Sequence, residues 1–135
     1  MLRSFSLAFL CGFLSTLLFH QGGVFVFYLL GTIPFLPWDF SLNPQGVPKV
    51  ISLAFFGGLW AIPSLLLAQK INQNFWALQI TFGAIMPTAV AMLVVFPLKG
   101  LIVSAPVVIG GLLLNGLWGL GVAMGLKLFK LPSTR

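Results

Sequence analysis

Four long apolar runs constrain this chain more than any other feature. A helix needs about 20 apolar residues to cross the hydrocarbon core of a bilayer. The runs at residues 5–25, 50–68, 76–96 and 101–126 each reach or approach that length. The strict alternation that marks membrane-spanning strands is missing from them. The expected fold is therefore all-α: one integral membrane domain over residues 1–135, with four transmembrane helices. Composition agrees. Only 6% of the residues are charged and 59% are hydrophobic, whereas a soluble domain carries about 25% charged residues. Arg3 and the apolar run after it have the n- and h-regions of a signal peptide. No small-x-small cleavage site follows, so a retained first helix is expected.

The net charge of +6 comes from seven basic residues and a single acid, Asp39. The basic residues stand singly between apolar runs and form no patch for phosphates, so nucleic acid is not expected as a partner. They set topology instead. Four spans put both termini on one side, with Arg3, Lys70, Lys127, Lys130 and Arg135. Lys49 and Lys99 are left on the other. The positive-inside rule then places both termini in the cytoplasm. The proline-rich loop between the first two spans becomes external. Its Phe35, Trp38 and Phe40 are too apolar to float freely, so it is expected along the interface or folded back over the bundle. Asp39 has Lys49 and Lys99 as potential ion-pair partners, or stays solvated.

Two blocks resemble each other inside the chain: PKVISLAFFGGLW from Pro48 and PVVIGGLLLNGLW from Pro106. Both open an even-numbered span with proline, which a helix start tolerates. Both carry a tryptophan, Trp60 or Trp118, about 18 Å along the helix axis. A buried indole N–H at that depth calls for an acceptor. The pattern is that of two parallel two-helix repeats, or of coincidence in a Gly- and Leu-rich chain.

Lipid tails are as apolar as leucine, so helices in a bilayer associate through close packing at small residues. The first span has Ala8, Gly12, Thr16 and His20 at spacings of four. The fourth has Gly111, Asn115, Gly119 and Ala123, and the third has Gly83, Pro87 and Ala91 with Ala84 and Thr88 beside them. These stripes lead to the expectation that the first and fourth helices meet along them, with His20 and Asn115 inward. Asn115 and Gln79 are expected to hydrogen-bond between helices. Pro63 and Pro87 each remove one helical hydrogen bond and are candidate hinges or simple kinks.

The motifs FHQG at Phe19–Gly22, GVP at Gly46–Pro48 and FGAIMPT at Phe82–Thr88 stand together with PLKG at Pro97–Gly100 and NGLWGLG at Asn115–Gly121. With this set the chain resembles a group of small bacterial four-helix inner-membrane proteins with no assigned activity. The resemblance implies a bacterial inner membrane and no particular reaction.

His20, the only histidine, is the leading candidate for a site, because an ionisable residue inside a membrane is a functional hypothesis by default. One reading is a polar ligand site built from His20, Gln21, Asn115 and Tyr28. The other is an imidazole that stitches helices or the loop together. Cys11 and His20 lie half a turn out of phase on a continuous helix, which rules out a thiol–imidazole pair. Ser15 and Thr16 read as backbone-bonded packing residues. No metal cluster, acid–base pair or activated nucleophile can be assembled, so an enzyme is the least favoured class, and no cofactor or metal is expected. Two functions remain. The first is an accessory or interaction subunit that packs in the lipid bilayer with itself, as a homo-oligomer, or with another membrane protein. The second is an oligomeric small-solute transporter or channel with a polar site around His20.

Overall fold

The computed structural model describes residues 1–71 and 74–131. Arg135 and part of the connection after Lys70 therefore lie outside the described residues. Among the described residues the structure is all-helical, with four helices long and apolar enough to span a membrane: α1 (Leu2–Leu29), α2 (Lys49–Lys70), α3 (Phe75–Leu98) and α4 (Ala105–Leu128). α1 is longer than the apolar run suggests, and α4 starts later, because residues 101–104 are not helical. Pro63 and Pro87 both lie within unbroken helical stretches.

Local chemistry sets several of the ends. Asn74 caps α3, its side chain accepting the N–H groups of Trp76 and Ala77. At its other end α3 closes on Gly100, whose φ of +66° suits a residue without Cβ. There Leu101 N–H donates to Phe96 and Gly100 N–H to Pro97, the double bond of a Schellman cap. α1 ends in the same way at Gly31, φ +70°. The loop after it doubles back. The carbonyls of Ser41 and Asp39 accept the N–H groups of Lys49 and Val50, two of the donors that a helix start leaves unpaired.

The helices stand around a square in chain order, each touching the next and α1 closing on α4. Small residues decide how they meet, but the stripes seen in the sequence pair differently from the expectation. The Gly12 and Thr16 stripe of α1 packs chiefly against Gly57 and Ala61 of α2, and it touches α4 where the Gly12 carbonyl accepts the Trp118 indole N–H. The Gly111, Asn115 and Gly119 stripe of α4 lies against Gln79, Gly83 and Thr88 of α3. α1 does reach α4, one helix face over: Cys11 packs on Gly125, and Ser15 and Phe19 pack on Gly121. Every stripe needs a backbone partner at close range, and the glycines of α2 and α3 offer one on the helix adjacent in the chain.

Each hairpin repeats the other's crossing. At Gly12 of α1 an added methyl would run into the Gly57 carbonyl and the Ala61 side chain. At Gly83 of α3 it would come within 2.6 Å of the Asn115 carbonyl oxygen and 2.8 Å of the Gly119 Cα. Gly57 and Asn115 are as far apart in sequence as Pro48 and Pro106, and so are Ala61 and Gly119. The register of the two similar blocks is thus also the register of their helix contacts. The two sides that join the hairpins are less alike. α1 meets α4 along several turns, whereas α2 meets α3 chiefly at the Ser64–Gln79 pair and at Trp60, whose ring stands edge-on to Phe82 at 6.2 Å.

Candidate functional site

Two short π-helical turns interrupt the long helices, Thr16–His20 in α1 and Ala91–Val95 in α3. The first shapes the region around His20. After it, the Gln21 N–H bonds to the carbonyls of Leu18 and Thr16. It passes over Leu17, its partner in a regular α-helix. The carbonyl of Leu17 accepts the indole N–H of Trp38 instead, at 2.8 Å. Single π turns are frequent at functional sites, and here the turn supplies an anchor for the external loop.

Gln21 provides the second anchor. It is 6% exposed, and its Oε1 accepts the backbone N–H of Trp38 at 2.7 Å. That bond fixes which way the amide points. Nε2 then faces the Nδ1 of His20 at 3.3 Å. An amide nitrogen can only donate, so Nδ1 accepts and the neutral ring carries its proton on Nε2. Trp38 itself has φ +52°, a conformation that costs a non-glycine residue about 1–2 kcal/mol. The two hydrogen bonds and the Phe25 ring 5.9 Å away offset that cost. Leu17 lies 12 residues below the end of α1, about 18 Å at helical rise. α1 is 28 residues long, about 42 Å, against a hydrocarbon core of about 30 Å. By this count the latch lies well below the outer end of α1 and near the middle of the helix, so the loop reaches down along it.

Of the four residues proposed as a ligand site, only His20 and Gln21 are joined by a hydrogen bond. His20 and Gln21 are joined to each other and to the loop. Asn115 donates from Nδ2 to the Thr88 hydroxyl at 2.9 Å, a bond between α4 and α3. Tyr28 lies two turns beyond His20 and is 37% exposed. Trp118 is buried, and its Nε1 donates to the Gly12 carbonyl at 3.1 Å. Ser15 donates to the Trp118 carbonyl at 2.6 Å and Thr16 to the Gly12 carbonyl at 3.0 Å, so both hydroxyls are engaged with backbone. Gln79 and Ser64 form a reciprocal buried pair: the Ser64 hydroxyl donates to Gln79 Oε1, and Gln79 Nε2 donates to the Ser64 carbonyl at 3.2 Å. Sequence reasoning singled out Gln79, and it named Trp38 among the residues expected to hold the loop against the interface or the bundle, but it found neither Ser64 nor the bond between Trp38 and Gln21. Ser64 follows Pro63, and a small hydroxyl beside a proline inside an apolar span was the available signal.

Outside the membrane, Asp39 lies 3.3 Å from Lys49, both half-exposed, which selects Lys49 over Lys99 as its partner. Hydrogen bonds from Ser41 and the nearby Lys49 ammonium hold the Asp39 carboxyl below its ordinary value. At the opposite end, Lys127 lies 4.7 Å above the Phe75 ring, a cation–π contact at the end of α4. Among the described residues, no three of His, Cys, Asp and Glu cluster as metal ligands. A groove of about 290 Å³ runs between α3 and α4, lined by Ile80, Ala84, Leu113, Gly116 and Leu117 among others, and it is apolar. No family model, no curated protein and no solved structure matches the chain.

Proposed function

We propose that this chain is an accessory or interaction subunit of a bacterial inner membrane, with both termini in the cytoplasm. It packs against another membrane protein or against copies of itself. One observation carries the reading: where the buried polar groups spend their hydrogen bonds. Among the described residues, every buried side-chain nitrogen and oxygen already has a partner within the chain. Gln21 holds the loop, Ser15 and Trp118 join α1 to α4, Ser64 and Gln79 join α2 to α3, and Asn115 and Thr88 join α3 to α4. A solute site keeps a few polar groups free to converge on its ligand. Here the groups that could serve are used to hold helices and loop together, and the groove that remains is aliphatic. Such a bundle offers neighbours a rigid, lipid-exposed surface. The resemblance to small bacterial inner-membrane proteins and the excess of basic residues at one end of the bundle support the location and the orientation.

Native mass spectrometry on gently extracted protein, wild type beside His20→Ala, tests the reading. A stoichiometric second protein, or a homo-oligomer without a small ligand, is expected in both samples. A monomer without partners would count against it. A small molecule present in wild type and lost from His20→Ala would move the function to solute binding or transport.

A further inference from the structure

We infer that a second copy of this chain seats its Phe55–Phe56 ridge in the groove between α3 and α4 at Gly116. The inference deepens the interaction reading above and rests on it. Its starting point is the shared register of the two hairpins, in which Gly58 of α2 corresponds to Gly116 of α4 and Phe9 of α1 to Ile80 of α3.

In the first hairpin the notch at Gly58 is filled by the chain itself. A methyl group there would meet the Phe9 ring at 2.6 Å. From Phe9 an aromatic ridge runs outward, with Phe55 at 5.6 Å and Phe56 a further 5.8 Å on. Phe55 and Phe56 are 48% and 57% exposed. In the second hairpin the matching notch is empty. Ile80 stands where the first hairpin has Phe9, and the nearest atom to a methyl on Gly116 would be the Ala84 Cβ at 3.6 Å. The groove left there measures about 290 Å³, is almost wholly apolar and opens outward, so a side chain of a neighbour can enter it from the lipid side. α3 is also the least covered helix of the bundle: 11% of its apolar stretch is buried, against 28–33% for the other helices.

Depth and direction select a second copy. α2 and α4 run the same way through the membrane, and Phe55 corresponds in register to Leu113 on the groove wall. Copies inserted in one orientation therefore bring ridge and groove to the same level. With the helices around a square in chain order, the ridge on α1–α2 and the groove on α3–α4 face opposite ways. The contact is head-to-tail and builds a ring or a row. A phenyl ring orders two torsions on seating, whereas an acyl tail orders many, so the ring fills a fixed notch at lower entropic cost.

The test uses the full chain in native membranes, with Cys11→Ala to remove the natural thiol. Two separately tagged copies are co-expressed, one carrying Phe55→Cys and the other Gly116→Cys, and then oxidised. A product bearing both tags is expected, with neither variant linking to itself. The companion measurement is the mass of Gly116→Phe released from membranes. It is expected to fall to that of a monomer with helical content unchanged, because the chain's own ring then fills the notch. Absence of the two-tag product, or self-linking at residue 55 alone, would overturn the inference. So would a Gly116→Phe oligomer of wild-type mass. A cross-link from residue 116 to a different protein would overturn the second copy while leaving the interaction reading standing. A wild-type monomer carrying a small solute would remove both.

Discussion

Gly83 and Gly116 lie on facing stretches of α3 and α4, yet a methyl group should act in opposite directions at the two positions. At Gly83 it meets backbone, the Asn115 carbonyl oxygen at 2.6 Å and the Gly119 Cα at 2.8 Å. Backbone cannot rotate aside, so the helices must part. Gly83→Ala should destabilise the bundle by about 1–3 kcal/mol, the range for overpacking. At Gly116 the nearest atom is 3.6 Å away, an ordinary contact, and alanine restrains the unfolded chain more than glycine does. Gly116→Ala should be neutral or stabilising by up to about 1 kcal/mol. Reversible unfolding in mixed detergent micelles measures both; equal effects would refute the packing described for α3 and α4. The sequence marked Gly83 and Gly119 as members of close-packing stripes. It could not separate a glycine under a backbone from one beside open space, because that depends on how each helix is rotated about its axis.

For the spans, legibility was high, since the length and apolarity of each run reflect the bilayer alone. Pairing between spans was not legible. Residues at spacings of four announce that a helix has a close neighbour without saying which, and Gly12 found Gly57 where α4 was expected. The His20–Gln21 pair was visible as polar residues in an apolar run. Its bond to Trp38 was not, because Trp38 approaches from a loop whose path depends on the cap at Gly31 and the π turn at Leu17. That loop makes a testable element. Gln21→Leu removes the acceptor for the Trp38 N–H and leaves a backbone donor unpaired, which should cost about 1–3 kcal/mol. Trp38→Phe removes only the indole bond to Leu17, a net contribution of about 1 kcal/mol. The loss should be confined to the loop. Limited proteolysis is expected to cut within residues 32–47 faster in Gln21→Leu than in Trp38→Phe, and faster in both than in wild type, with the helices intact. Equal cleavage rates in all three would mean that the latch does not hold the loop.

The whole molecule presents two unlike ends to the two faces of the membrane. One end carries Arg3, Lys70, Lys127 and Lys130 on helix termini. Lys70 and Lys127 stand in the last turns of α2 and α4, where a cation also complements the partial negative charge of the helix end. The other end carries Lys99, the Asp39–Lys49 pair and the loop folded over α1. In that pair the acid offsets one of the two cations, so the contrast in net charge between the ends is larger than basic residues alone suggest. Basic residues near span ends are retained on the cytoplasmic side during insertion, so the loop should face outward. Single cysteines placed at Gln45 and at Lys130, in a Cys11→Ala background, report this directly. In intact cells a membrane-impermeant maleimide should label Gln45→Cys and leave Lys130→Cys unlabelled until the membrane is opened. The reverse pattern would invert the topology and put the Trp38 latch on the cytoplasmic face. Labelling of both in intact cells would mean that the chain inserts in two orientations, and a head-to-tail contact between copies of one orientation would then lack the uniform population it requires.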